Sequence, residues 1–376
     1  MKRITVSMFT LLAVSAAAFC QEAEIAKIKA VGPEGEGNEA AQQAWRAIVA
    51  KGPQAMLPVL AGLDHANPRA ANYLRTAVEA IGEQALAGNK KLDGAALEKF
   101  VLDTKHSGPG RRLAYDWLVK IDPKAPERLL PGMLDDPGAE LRRDAITLAM
   151  ADAQKVLDGG NKDAATVALK KLMPFARDRD QVDDLAKKLK DLGVNVDLQK
   201  HYGIINRWVL LTTFDNVGMK GFDVAYAPEK DFDLSKKYEG KAGKPARFID
   251  HTTDDPHGKV DLNTVIGKEK GAVAYAYAEI DSPAGRPVEV RVGSINAVKI
   301  FLNGKQIFFH HEYHHGMKMD QYVGVGELKK GKNEVLLKIC QNEQTENWAQ
   351  NWTFQARLCD AIGGAVPFKI VTPPVK

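Results

Sequence analysis

The sequence predicts a two-part chain, in which paired α-helices are followed by an antiparallel β-sandwich. In the first half, turn signals such as Asn67-Pro68 interrupt apolar helical faces at helical-hairpin intervals. In the second half, the turn signals Asn303-Gly304 and Gly331–Asn333 lie beside strands with alternating apolar residues, and each predicts a β-hairpin. Many short strands without clear intervening helices favour two packed sheets, as in a sandwich or jelly roll.

Residues 1–20 have the pattern of a secretory signal peptide. Lys2 and Arg3 precede an uncharged, largely apolar run that ends in small residues at positions 15–18. The run is too short for a transmembrane helix, so we expect export to the periplasm or the extracellular space. An alternative is a lipoprotein acylated at Cys20, although Phe19 is bulky where such signals favour a small residue.

Composition argues against several partner classes. The chain of 376 residues has a net charge of +4, of which Lys2 and Arg3 contribute two. The remaining charge is too small to predict nucleic acid or an anionic membrane as the main partner. Cys340 and Cys359 are predicted to be buried thiols, because a hairpin of the last two long strands would separate them by roughly 20 Å.

Residues 21–38 are predicted to be a linker, with Asn38 as a possible helix cap, and residues 39–195 a helical repeat domain. The linker prediction depends on abundant glycine and the absence of an apolar period. Arg75, Arg112 and Arg143 each stand two positions before an alanine and recur at intervals that suit stacked helix pairs.

The stretch Leu134–Ala145 resembles a HEAT-type repeat, in which an Asp-x-Pro turn opens a helix and an arginine packs against the neighbouring repeat. The resemblance implies a short α-solenoid whose concave face contacts a protein partner. It also implies that Arg75, Arg112 and Arg143 are struts between repeats. A helical bundle that serves only as a spacer is the alternative.

After residues 193–195 the pattern changes to short strands. The predicted strands are Trp208–Phe214, Ala272–Ile280, Val288–Val292, Val298–Leu302, Gln306–His310, Tyr322–Gly326, Val335–Cys340 and Trp352–Leu358. The long polar segment Asp215–Thr264 is a candidate binding region or a packed cover. Residues 367–376 are expected to be an extended tail.

Residues 205–366 resemble a galactose-binding-like jelly-roll domain. The resemblance rests on Trp208–Leu211, Phe214–Asn216, Pro228–Lys230, Ala274–Ala276, Val298–Lys305, Leu328–Lys338, Gln341–Trp348 and Trp352–Asp360. Such modules occur in large secreted proteins of planctomycete-type bacteria, beside HEAT repeats, haem domains or hydrolases. The resemblance implies the fold, whereas relatives bind sugars, hold structural calcium or contact proteins.

A carbohydrate site would need aromatic platforms and planar polar groups that converge in loops. Asn347, Trp348, Asn351 and Trp352 supply those residue types and are the predicted ligand-binding set. The alternative is that the two tryptophans complete the hydrophobic core.

A second candidate site is the cluster His310–His315, because imidazole and carboxylate are ligands for zinc, copper or nickel. The predicted metal ligands are His310, His311, His314, His315, Asp254 and Asp255. The cluster contains a literal His-Glu-x-x-His, but the preceding strand and Gly316 argue against the helix that a metalloprotease requires.

Structural calcium is a further possibility for the oxygen-rich segment Asp250–Asn263, whose acids are also common turn formers. We therefore expect an exported, non-enzymatic binding or scaffolding protein, with helices for protein contact and a β-domain for carbohydrate or protein contact. Two alternatives are open: a carbohydrate-active enzyme using acids around Asp254, Asp255 and Glu312, or a metal-binding protein or metal hydrolase using His310–His315.

Overall fold

The structure is a computed structural model that describes residues 21–375. The predicted signal peptide, with Cys20, lies outside the described residues. The chain divides into two compact units, Met1–Gln181 and Val182–Lys376. The described part of the first unit is helical, and the second contains antiparallel sheets, in the predicted order. Within residues 21–375, no helix has both the length and the apolar character needed to cross a membrane.

The N-terminal unit consists of helices joined by short connections. They are α1 (residues 21–29), α2 (Asn38–Lys51), α3 (Met56–Gly62), α4 (Pro68–Ala87), α5 (Gly94–Leu102), α6 (Gly108–Ile121), α7 (Ala125–Leu129), α8 (Ala139–Asp158), α9 (Lys162–Leu172) and α10 (Arg179–Asp191), the last of which crosses the division. The side chains of Asn67 and Ser107 cap α4 and α6 by accepting backbone N–H bonds. Gly82 lets the Trp117 ring pack against α4, because a Cβ there would lie 2.3 Å from the indole.

The predicted linker is largely helical instead. Residues 21–29 form α1, and Ile25, Ile28 and Val31 are buried in the core of the helical unit. Ile25 and Ile28 lie on one face of α1, and Val31 follows its end, a short signal that the neighbouring glycines obscured. Asn38 begins α2, and Gly37 rather than Asn38 takes the cap position.

Two of the three repeated arginines link separate helices. Arg112 of α6 lies 2.5 Å from Asp144 of α8, and Arg143 of α8 forms a bidentate pair with Asp180 of α10. Arg75 pairs within its own helix, at 3.9 Å. The repeat pattern therefore located two inter-helix contacts, and Arg75 is not a third.

The most buried ion pair among the described residues of the helical unit belongs to Arg111, one position before the repeated Arg112. Arg111 is 1% exposed, and its guanidinium donates to both carboxylate oxygens of Asp136, at 2.7 and 2.6 Å. It also donates to the Val101 carbonyl oxygen at 2.7 Å. This pair joins α6 to the turn that precedes α8.

The C-terminal unit contains two antiparallel sheets. Its strands are β1 (Arg207–Asp215), β2 (Arg247–Thr252), β3 (Val260–Asp261), β4 (Ala272–Ser282), β5 (Arg286–Ser294), β6 (Val298–Leu302), β7 (Lys305–His310), β8 (Tyr322–Leu328), β9 (Gly331–Gln341), β10 (Thr353–Cys359) and β11 (Lys369–Ile370), and its short helices are α11 (Leu198–Tyr202), α12 (Ala227–Lys230) and α13 (Leu262–Val265). The larger sheet has the order β2-β1-β4-β9-β6-β7, with β11 also on β4, and the smaller has the order β3-β10-β5-β8. Alternate residues from both sheets form one hydrophobic cluster, including Val298, Ile300 and Leu302 of β6.

The first predicted hairpin is confirmed. β6 and β7 pair around a two-residue turn in which Asn303 and Gly304 have φ values of 52° and 77°. Positive φ at both positions matches the right-handed twist of the flanking strands, which explains the Asn-Gly sequence.

The second predicted hairpin is wrong, because β8 and β9 belong to different sheets. The turn at Gly331, with φ 87°, carries the chain from one sheet to the other. Asn333 is fully buried there, and its side chain bonds both backbone groups of Lys329, each at 2.8 Å. The Asn303 amide adds a bond of 2.9 Å to Asn333, so two asparagines fix the crossing.

The hairpin expected between β9 and β10 is likewise absent, since each strand pairs in its own sheet. Cys340 and Cys359 are nevertheless buried and unlinked, as predicted. Burial raises the pKa of the Cys340 thiol to about 12 and that of Cys359 to about 11.

The long segment between β1 and β4 includes a cover over the outer face of the larger sheet. Phe222 and Tyr238 from this segment pack with Phe214, Tyr275 and Leu336 of the strands. The tail is extended as expected, but it is docked: β11 pairs with β4, and the Glu279 N–H donates to the buried Thr372 hydroxyl at 2.9 Å.

Candidate functional site

Three connections converge at one end of the larger sheet. Strand register places Asp215, Ala272 and Gln341 side by side at this end, where β1 and β9 finish and β4 begins. Val298 of β6 lies opposite His310, so β7 also finishes at this end. We call the surface formed by residues 216–222, 311–321 and 342–352 the loop surface.

Hydrogen bonds join these connections to one another. The Asn216 amide donates to the Gln341 carbonyl oxygen at 3.0 Å and lies 3.1 Å from the Tyr313 hydroxyl. The Gly218 N–H donates to the Glu343 carboxylate. The loop surface is therefore one bonded assembly rather than three separate loops.

Trp348 stands on this surface with its side chain outward. It lies in the one-turn helix Asn347–Ala349 and is 61% exposed. Its ring meets the His314 ring edge-on, at 5.5 Å between centroids. The His314 ring in turn contacts the Asn342 side-chain oxygen at 2.5 Å, so an aromatic face and planar polar groups lie together.

Two side chains that are distant in sequence clamp the turn that carries Trp348. The Lys270 ammonium donates to the Ala349 carbonyl oxygen at 2.7 Å, and the Asn263 amide donates to the Gln350 carbonyl oxygen at 2.8 Å. Burial lowers the pKa of Lys270. These two supports escaped the sequence analysis, because nothing in their local pattern connects them to a turn about eighty residues away.

The structure exposes three of the four predicted ligand-binding residues and buries the fourth. Asn347, Trp348 and Asn351 are exposed, whereas Trp352 is fully buried in the cluster between the sheets. The alternative that tryptophan completes the core therefore holds for Trp352 and not for Trp348.

The predicted metal ligands lie in different surroundings. His310 and His315 lie together with Glu312, while the His311 ring stacks on Phe222 at 4.1 Å, nearly parallel. His314 contacts Asn342 as described above. Residues 311–315 are not helical, so the His-Glu-x-x-His sequence does not form the helical zinc motif.

Two of the acids proposed for metal or calcium, Asp250 and Asp255, serve local structure. The Asp255 carboxylate accepts the N–H bonds of His257 and Lys259, at 2.9 and 3.2 Å. Asp250 forms a bidentate pair with Arg207, at 3.0 and 2.7 Å. Asp254 and Asp255 do not join the His310–His315 cluster identified among the described residues.

Comparisons with known proteins place few constraints on the chain. No protein-family model and no curated protein matches it. A structure of beta-glucosidase from Kluyveromyces marxianus in complex with glucose is 10% identical over 41% of this chain and 16% of that chain, with a TM-score of 0.26. A selenomethionine-labelled structure of beta-glucosidase from the same yeast is 9% identical over 76% and 35%, with a TM-score of 0.26.

The GH31 alpha-xylosidase from Xanthomonas citri is 10% identical over 41% of this chain and 17% of that chain, with a TM-score of 0.19. The chain thus spans at most 35% of the length of these three structures. TM-scores this low assign neither a fold nor an activity to this chain.

Proposed function

We propose that the C-terminal unit binds carbohydrate on the loop surface, with Trp348 as the stacking platform. The observation that carries this proposal is the outward position of Trp348 on a clamped turn. Exposure of a large apolar ring to water costs free energy. A ligand whose apolar face covers the ring would recover this free energy. Because the turn is fixed beforehand, little conformational entropy is lost when the ligand arrives.

The polar neighbours of Trp348 suit sugar hydroxyl groups. Asn347 and Asn351 are exposed on the same connection as Trp348, and each amide offers both donors and an acceptor. The platform stands on an open surface, which suits a segment of a glycan chain that lies across the ring. We therefore propose an oligosaccharide or polysaccharide as the ligand.

We also propose a fold class for each unit and an exported location for the protein. A galactose-binding-like jelly roll is supported by two antiparallel sheets with a common core and by convergent loops at one end. A HEAT-like solenoid is supported by the inter-helix pairs of Arg112 and Arg143 and by the pair of Arg111 with the turn before α8. Export rests on the sequence of residues 1–20. A protein partner for the helices stays a prediction.

The test is a glycan array on the full chain, followed by calorimetric titration of the best-binding oligosaccharide. Trp348→Ala should weaken binding at least tenfold, which corresponds to about 1.4 kcal/mol. Phe309→Ala is the matched control, because Phe309 is a similarly exposed aromatic residue, at 59%, on β7. It should leave the affinity unchanged.

Two results would contradict the proposal: no glycan is bound, or Phe309→Ala weakens binding as much as Trp348→Ala. Incubation of the bound oligosaccharide with the protein, followed by chromatography, separates binding from catalysis. Turnover that depends on an acid such as Glu312 would identify a carbohydrate-active enzyme instead.

A further inference from the structure

Three side chains with metal-binding groups meet where β7 ends. His310 is the last residue of β7, and Glu312 and His315 belong to the connection that follows. One ligand atom from each lies within 4.8 Å of the other two. The His310 Nε2 atom is 2.9 Å from a Glu312 carboxylate oxygen.

The backbone of the connection is held in the shape that brings His315 back toward His310. His314 adopts a φ of 58°, and its N–H donates to the Asn296 side-chain oxygen at 3.0 Å. The His315 N–H donates to the Ile295 carbonyl oxygen at 3.2 Å. These bonds anchor the turn to the chain between β5 and β6, so the three groups are positioned before any ion arrives.

Neighbouring side chains orient the His315 ring. Its Nε2 atom lies 3.0 Å from the Tyr322 hydroxyl, and its Nδ1 atom lies 2.9 Å from the Gln321 amide nitrogen. The His310 ring packs on the Tyr322 ring, with centroids 4.7 Å apart. A bound ion would replace the hydrogen bond at one of the two His315 nitrogens, and the bond at the other nitrogen would orient the ring, as in metal sites.

Two imidazoles and one carboxylate are a donor set that zinc and neighbouring transition metals accept, whereas calcium and magnesium favour oxygen alone. We propose that His310, Glu312 and His315 form a binding site for a divalent transition-metal ion of the zinc class. Glu312 is exposed, so water can complete the coordination. The bound ion would fasten residues 311–315 to the end of β7.

The experiment uses the full chain without a His tag, stripped by a chelator and dialysed against Zn²⁺, with bound metal measured by mass spectrometry. We expect one equivalent of zinc per chain. Glu312→Gln and His315→Ala should each weaken zinc binding at least about tenfold, the smallest loss seen when even supporting residues of a metal site are removed. Glu312→Gln changes an exposed side chain, so it tests the site without threatening the fold.

His311→Ala is the matched control, because His311 lies inside the same cluster but stacks on Phe222. It should retain the wild-type affinity, and X-ray absorption of the zinc complex should show two imidazole ligands. Failure of the wild-type chain to bind zinc would overturn the proposal. An equal loss of binding in His311→Ala and His315→Ala would do so as well, since the sequence cluster rather than the three-residue site would then be the ligand.

Discussion

Lys338 shows how one buried charge holds a long segment in place. Its ammonium, fully buried, donates to the carbonyl oxygens of Phe222 and Val224, at 3.1 and 2.7 Å. It also bonds the Glu229 carboxylate at 2.7 Å, and the Tyr275 hydroxyl donates to the same carboxylate at 2.5 Å. Burial lowers the pKa of Lys338, although its bond to Glu229 opposes this shift. The segment 222–229 is thereby tied to the outer face of the larger sheet.

Lys338→Met should therefore destabilise the C-terminal unit strongly. The substitution leaves the Glu229 carboxylate buried without its cation, and removal of one partner from such a pair costs about 3–5 kcal/mol. The measurement is urea unfolding followed by near-UV circular dichroism. Lys330→Met, at an exposed position before β9, should change the free energy of unfolding by less than about 0.5 kcal/mol. Equal effects of the two substitutions would show that the buried pair is not a main support.

The sequence could not show which candidate residues are buried, because burial depends on tertiary contacts. Trp348 and Trp352 are four residues apart and of one type, yet one is exposed and the other buried. The sequence also could not show that His310 and His315 lie close together. Strand alternation would place His310 on one face with His314, and helical spacing would place His311 with His315. The grouping of His310 with His315 depends on the turn at His314, whose positive φ has no local glycine signal.

At the scale of elements, alternation of apolar residues predicted β1 and β4–β10 but missed β2, β3 and β11, and it did not predict strand partners. β6 was predicted with its observed bounds, and β7 differs by one residue. Alternation identifies the buried face of a strand, and this face is the same whichever sheet receives it. The connection from β8 to β9 therefore looked like a hairpin, although buried Asn333 directs it between sheets.

The N-terminal unit contains two ion pairs that differ in burial. Arg111→Met leaves Asp136 buried and unpaired, so it should cost about 3–5 kcal/mol. Arg143→Met removes an exposed pair of similar geometry with Asp180 and should cost less than about 1 kcal/mol. Urea unfolding followed by far-UV circular dichroism measures both. A larger loss for Arg143→Met would mean that burial does not control the strength of these contacts.

At the scale of the whole molecule, the order of a helical part and a β part followed from the change of apolar period along the chain. Carboxyl groups with lowered pKa values occur in both units. Hydrogen bonds from arginines lower the pKa of Asp180 and Asp250. At Asp64 and Asp320, burial raises the pKa, but hydrogen bonds outweigh it and leave both pKa values below the ordinary one. Such groups stabilise the folded chain above the ordinary carboxyl pKa, and this stability is lost as pH falls through the lowered values.

Asp320 offers the clearest test of this acid sensitivity. Its carboxylate bonds Arg357, which is 2% exposed, at 2.6 and 2.5 Å and Arg291 at 2.8 Å. Its φ of 60° is one that asparagine also adopts readily, so Asp320→Asn removes the charge with little change of shape. At pH 7 the variant should be less stable by about 2–3 kcal/mol, since a buried guanidinium loses its anion.

The difference between wild type and Asp320→Asn should shrink as the pH falls below the ordinary carboxyl pKa and through the lowered pKa of Asp320, because protonation removes the same charge from the wild-type chain. Urea unfolding at a series of pH values, followed by tryptophan fluorescence, measures this convergence. Asp281→Asn, at an exposed position on β4, should match wild type throughout. A difference for Asp320→Asn that stays constant with pH would show that lost shape or packing, rather than the charge on Asp320, causes the destabilisation.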